Sequence, residues 1–438
     1  MYKFVAMIIL GCLRLQAQDF GPLVNKAWDH NAQLRAERFA LKAAEAQWRE
    51  AKSMFGPSAS FGMQYTLATG GRSFSFPVGD LLNPVYRTLN QLTGTAEFPQ
   101  IENVEEQFLP DNFYDARLRL TQPIYYPDLA LQRDVRREAT LLKAAEVRAF
   151  KRLVSKEVMH AVTNVRTART AMEIYASTSF QLREAARMTQ SLVRQGVALP
   201  TALSRLEGEL ATVEAEGAAM ATQLENGFVY LEFLTGLTRD QIDVNFIEEG
   251  AYPPEIAQNP GRREELEQLE HGIRMQQTAV RREKQFFLPR LAAVVDFGSQ
   301  DFDFALSPYA MLGLNLEFSL YDHRAHRHRR SSAEAESQRL IAQKEHAEAQ
   351  IDLQVRTALN GFRTASQQAR MLETPVRSAA ASHRDVLNRY REGVATYLEL
   401  LDAQENLKRT RLQHALALQN AWMKWADATY ATASLPIE

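Results

Sequence analysis

The residues of this chain best placed for chemistry form one dense run, His323-Arg324-Ala325-His326-Arg327-His328-Arg329-Arg330. His323 and His326 stand one helical turn apart, and with His328 they are the donors a metal-dependent enzyme would need. Four arginines among them repel a cation, and no carboxylate follows until Glu334, so no metal site is expected. The only cysteine is Cys12, which leaves neither a disulfide framework nor a thiolate site. No nucleophile elbow, phosphate loop or paired histidine and carboxylate appears, so neither catalysis nor a bound cofactor is expected. With 51 Lys and Arg against 53 Asp and Glu, no basic field points to nucleic acid.

The elements that carry these residues occur twice. Ile351, Val355, Leu359, Phe362, Ala365 and Ala369 repeat Val154, Val158, Val162, Val165, Ala168 and Met172 at a shift of 197. The same shift carries Arg194-Gln195-Gly196-Val197 onto Arg391-Glu392-Gly393-Val394. A leader (1–17) precedes repeat 1 (18–236), a linker (237–261) and repeat 2 (262–438). In the leader, Lys3 and the apolar run Phe4 to Leu10 end at Leu15-Gln16-Ala17, which reads as a signal peptide. Ile9-Leu10-Gly11-Cys12 also fits a lipidation signal that would modify Cys12. Cleavage after Ala17 removes Lys3 and Arg14 and moves the net charge from −2 to −4.

Four segments leave the helical period for strict alternation: about 58–68, 114–125, 289–299 and 309–321. In the fourth, Leu312, Leu314, Leu316 and Phe318 interleave with Gly313, Asn315, Glu317 and Ser319. Such alternation means a strand with one apolar and one polar face. Each is near the length of a tilted strand crossing a bilayer. Two readings follow: soluble hairpins capping a coiled-coil scaffold, or a transmembrane β-barrel. Four strands cannot close a sheet, and open edges in lipid cost several kcal/mol per unpaired group, so a barrel requires several chains. Eight strands fill their own interior, whereas a trimer gives twelve strands and a polar lumen. Where strand becomes helix, Arg133, Arg136 and Arg137 in repeat 1 and Arg324, Arg327 and Arg329 in repeat 2 form a basic collar suited to lipid headgroups.

Helical hairpins are expected over about 127–234 and 324–433. The first helix is read as reaching Ile174, roughly 70 Å at 1.5 Å per residue, with a turn at Tyr175–Thr178. The second is read as turning at Thr374-Pro375. Gly196 and Gly393 break the returning helices at equivalent points. The loop 68–113 holds Gly70-Gly71, Pro77, Pro84, Pro99 and Pro110. Pro57 maps to Pro289 at 232 but Leu118 to Leu314 at 196, so this loop is 36 residues longer than its counterpart. It is expected either to fold over the mouth of a barrel or to be disordered.

Several passages together resemble the TolC-like outer-membrane efflux proteins. Phe55-Gly56-Pro57 and Phe287-Leu288-Pro289 open the first strand of each repeat. Gln122-Pro123-Ile124-Tyr125 and Ser319-Leu320-Tyr321-Asp322 join strand to helix. Tyr390-Arg391-Glu392-Gly393-Val394-Ala395-Thr396-Tyr397-Leu398-Glu399-Leu400-Leu401-Asp402-Ala403-Gln404 is the most specific, and Asn259-Pro260, with Asn31 as its counterpart, opens the second repeat. The resemblance implies a mainly α chain with a transmembrane β-barrel: a homotrimer whose twelve strands cross the outer membrane above a periplasmic α-barrel. It implies a passive conduit of a tripartite efflux pump or type I secretion system, joined to a periplasmic adaptor and an inner-membrane transporter. A gate at the helix tips would draw on Arg370 and Glu373 or on Arg166, Arg169 and Glu173, against the reading that these are solvated charges. Gly196 and Gly393 would then mark an equatorial belt to which the linker contributes. The arms between these points are shorter than the family's.

Overall fold

The computed structural model describes residues 20–248, 250–256 and 261–435, so the leader, Cys12 and Asn259-Pro260 lie outside the described residues. In chain order, α1 (Gly21–His30) and α2 (Ala32–Ser53) precede β1 (Ser58–Thr66). β2 (Ser73–Phe76), α3 (Val78–Thr93) and β3 (Val104–Gln107) separate it from β4 (Phe113–Tyr125). The long α4 (Pro127–Arg194) and α5 (Pro200–Thr235) follow. The second repeat runs through α6 (Glu264–Lys284), β5 (Arg290–Phe302), β6 (Pro308–Glu317), α7 (Ala325–Met371), α8 (Glu373–Arg391) and α9 (Tyr397–Ala431). Two compact units result: one of residues up to Glu45, Glu138–Arg274 and from Ser337 on, the other of Ala46–Arg137 and Met275–Glu336.

The second of these units is built on a four-stranded antiparallel sheet in the order β1-β4-β5-β6. Phe61 pairs with Leu118, Leu118 with Phe297, and Val295 with Leu312, so the apolar positions of all four strands share one face. The opposite face aligns Ser60, Arg119, Asp296 and Met311. The register holds because a slip of one residue would exchange the faces of a whole strand. It shifts only between Pro123 and Tyr125, where proline has no N–H to give the ladder.

The loop 68–113 is neither bare nor disordered. β2 and β3 pair as a ribbon, and α3 lies between them in sequence. Two asparagines organise it by standing in for backbone. Asn83 donates to Ile101 O (2.8 Å) and accepts from Ile101 N (2.9 Å), and Asn90 does the same with Phe98. Such side-chain substitutes for backbone partners order a segment that has no apolar core of its own.

In the helical unit, Val154, Val158, Val162 and Val165 on α4 are fully covered, together with Leu34, Leu231, Val244 and Trp422. A separate cluster gathers Leu182, Leu206, Tyr390 and Leu400. Among these apolar groups Arg152 and Glu264 form a buried ion pair, each side chain only 5% exposed, at 2.6 and 3.1 Å. Arg152 also donates to Leu435 O at 3.1 Å, tying α4 to the start of α6 and to the end of the described chain.

Both expected turns are corrected here. α4 runs unbroken for 68 residues, roughly 100 Å, straight through Tyr175–Thr178. That segment carries no glycine or proline, and Ile174, Thr178, Ser179 and Leu182 are buried along it, so packing holds the helix together. At Thr374-Pro375 the chain does not reverse either. Only Leu372 interrupts the helix, with φ −76° and ψ −10° in the right-handed region. Proline here removes the bond to the carbonyl of Met371, and Val376 N resumes the ladder to Leu372 O at 3.3 Å.

The reversals lie at Gly196 and Gly393, both at φ +75°. Val197 N reaches back to Leu192 O (2.9 Å) and Val394 N to Arg389 O (2.8 Å), the 6→1 bond of a Schellman end. Thr396 then caps α9, accepting from Glu399 N at 3.2 Å. Alanine at Gly393 would hold an L-residue in the left-handed region, so Gly393→Ala is expected to destabilise the helical unit by about 1 kcal/mol, read as a lower denaturation midpoint. An unchanged midpoint would show that the reversal rearranges freely.

Candidate functional site

The apolar face of the sheet is not packed against protein. Phe61, Leu312 and Leu314 are 72%, 75% and 70% exposed, with Met63, Phe297 and Leu316 also open. A continuous exposed apolar surface of this size marks an interaction with lipid or protein. Aromatic residues bound it at both ends. At the hairpin end Tyr65 and Tyr114 stack on Phe304 at 5.1 and 5.6 Å. At the helical end Tyr125, Phe287, Phe318 and Tyr321 are exposed. Girdles of aromatic rings above and below an apolar band belong to membrane-spanning sheets. The sequence reading missed these girdles, although aromatics clustered just beyond each alternating run were signal enough.

The polar face neutralises its charges in place. Arg119 holds Asp296 through both guanidinium arms, Nε to Oδ1 at 2.8 Å and a terminal nitrogen to Oδ2 at 2.7 Å. The Asp296 carboxylate is completely covered. Arg117 lies 3.5 Å from Asp115, and Arg290 bonds Asp128 at 2.5 Å and lies 3.6 Å from Glu317. Within this four-stranded sheet, the outer ladder sides of β1 and β6 lack a strand partner among the described residues.

The collar divides. Arg329 bridges Glu283 (2.9 Å) and Asp322 (3.0 Å), Arg133 contacts Asp134 and the Phe55 ring, and Arg136 donates to Gln47 at 2.8 Å. Arg324 takes a left-handed backbone and, like Arg327 and Arg137, is exposed. The histidines do not converge: His326 bonds Asp322 at 2.8 Å and stacks on Phe286, His323 leans on Tyr321, and His328 is exposed. Among the described residues no group of three or more His, Cys, Asp or Glu is placed to hold a metal ion.

The charged residues expected at the helix tips sit instead within the helices, against the linker. Arg166 donates to Ile247 O and Glu248 O, and Arg169 bonds Asn245. Glu373 accepts from the Tyr252 hydroxyl at 2.6 Å, and Arg370 covers the Tyr252 ring at 5.3 Å. Burial, then the bond to Glu373, pushes the Tyr252 phenol up to about 12, so it stays a neutral donor. Glu173 lines a neighbouring cavity with Arg166 and Trp422. The glycines expected in a belt are the ones at the reversals. The two placements are thus exchanged relative to the sequence reading, because the turn assignments on which they depended were displaced. Tyr252 had no periodic signal in the sequence; only the fold shows its role as an anchor.

Residues 256–427 match the family model described as outer membrane efflux protein. Several solved structures share the fold over nearly the whole chain. The outer-membrane channel OprN matches with TM-score 0.73 and 16% identity, over 95% of this chain and 91% of that one. The outer membrane protein VceC of Vibrio cholerae matches with TM-score 0.73 and 16% identity, over 94% and 95%. The MtrE outer membrane channel of Neisseria gonorrhoeae, in its open state, gives 0.71 and 15%, over 95% and 88%. A search of the curated proteins finds no match.

Proposed function

From the match of residues 256–427 to the outer membrane efflux protein family model and the fold shared with outer-membrane channels, we propose that three copies assemble into a passive conduit for efflux or type I secretion. The observation that carries the reading is the two-faced sheet: an exposed apolar face between aromatic girdles, a charge-paired polar face, and two unpartnered edges. In lipid those edges must be paired, and β6 of one copy against β1 of the next closes twelve strands without leaving an orphan ladder. The polar face, with Arg119 and Asp296, then lines the water-filled lumen.

In this assembly the helices occupy the periplasm and end at the reversals around Gly196 and Gly393. Exposed Val197, Leu199 and Val394 there form an apolar tip for a periplasmic adaptor, which in turn joins an inner-membrane transporter. The gate belongs to that tip, while the Arg166, Arg169, Arg370 and Glu373 contacts fasten the linker as a belt. The exposed collar arginines Arg324 and Arg327 meet lipid headgroups.

Detergent-purified protein in a planar bilayer, with its mass measured in the same preparation, tests the reading. A trimer giving discrete conductance steps is expected. A monomer that needs no detergent and leaves the bilayer silent would sink it.

A further inference from the structure

A groove of about 840 Å³ lies where the sheet meets the helices, between the first turns of α4, the last turns of α6 and the start of α7. Four arginines line it (Arg136, Arg282, Arg290 and Arg329) against two carboxylates, Asp128 and Glu283. The rest of its wall is mixed: Leu131, Phe286 and Leu288 among the apolar side chains, with glutamines, Thr278 and Ser319 among the polar ones.

The groove opens on the polar side of the sheet. Arg290 aligns with Ala292, Val294 and Asp296 on that face of β5, and its guanidinium reaches both Asp128 in the groove and Glu317 on the polar face of β6. Lipid tails belong to the opposite face, so the occupant is a molecule in the lumen. The guanidiniums are unequally committed. Arg329 is held by Glu283 and by Asp322 outside the groove. Glu283 is almost wholly covered and is shared, so the 58% exposed Arg282, 3.2 Å from it, has only part of one carboxylate. Five donors in a planar fork leave Arg282 able to bind a further oxyanion.

We propose that this groove binds amphiphilic anions, molecules with one carboxylate, sulfonate or phosphate beside an apolar ring system, during their passage through the conduit. The anionic head bonds to Arg282 with Arg290 behind it, and the apolar body lies on Leu131, Phe286 and Leu288. Two excess positive charges on the lining favour anions over cations, and the apolar part of the wall favours amphiphiles over inorganic ions. The inference names the cargo class of the proposed conduit and rests on that reading for its place in the lumen.

Equilibrium dialysis of 1-naphthalenesulfonate against the detergent-solubilised full chain tests it, with 1-naphthylmethylammonium and inorganic phosphate as matched probes. The sulfonate is expected to bind more tightly than either. Arg282→Gln should weaken it about tenfold, the order of one charge-assisted hydrogen bond. Arg282→Lys should weaken it less, and Leu288→Ser should weaken the sulfonate while leaving phosphate unchanged. Arg356→Gln, in an exposed pair elsewhere on α7, serves as the control and should change nothing. Equal binding of the two naphthyl probes, or sulfonate binding indifferent to Arg282→Gln, would overturn the site. Conductance separates this from the larger reading: a conducting trimer without the sulfonate preference loses the site and keeps the conduit, whereas binding by a protein that never conducts keeps the groove as an anion site and removes its place in a conduit.

Discussion

Leu312→Arg is expected to abolish stable assembly in the membrane, whereas Asn315→Arg, three residues along the same strand, should be tolerated. Leu312 stands at the centre of β6 on the apolar face, opposite Val295, and Asn315 on the polar face opposite Ala292. An arginine near the bilayer midplane costs about 2–4 kcal/mol on a lipid-facing position and little on a lumenal one. A trimer pays this three times. The measurement is the fraction of trimer surviving in the outer-membrane fraction and its resistance to denaturant. Equal behaviour of the two variants would mean that the apolar face does not meet lipid, and the conduit would go with it.

Glu264→Ala should destabilise the helical unit more than any other single truncation in it, by about 3–5 kcal/mol. It leaves Arg152 buried among valines with no carboxylate, holding only the Leu435 carbonyl. The neighbouring carboxylate, Glu265, is already held through both oxygens by the buried Arg263 and so does not take over as the partner of Arg152. Replacing both partners, Arg152→Met with Glu264→Leu, should recover most of the loss, since two apolar side chains of similar volume need no desolvation. Helical circular dichroism against denaturant reads both variants. A double variant as unstable as Glu264→Ala would assign the cost to lost packing.

Much of this fold was legible because it is written in periods. Strands of period two at Leu312–Phe318 and helices carrying Val154, Val158, Val162 and Val165 announce themselves, and the 197-residue shift joins them into two like units. Strand ends were less sharp: β6 stops at Glu317 and β5 continues to Phe302, because pairing with neighbours sets where a ladder ends. The polar-face residues Arg117, Arg119, Asp296 and Glu317 were visible as the alternating partners of apolar ones. The groove was not, since Asp128, Arg282 and Arg329 come from three helices with no spacing in common.

The sequence by itself determined the duplicated unit and the two-sided character of each strand, because backbone hydrogen bonding and side-chain alternation are local or nearly so. It also contained the glycines at which the chain reverses. Only the tertiary structure decided what those glycines do and where the helices end. A polar stretch such as Tyr175–Thr178 stays helical when neighbouring helices bury it, and a proline three residues into α8 interrupts a helix without turning it. Reversal requires a residue at positive φ, and Gly196 and Gly393 supply it; whether a given glycine is used that way depends on the packing on either side of it.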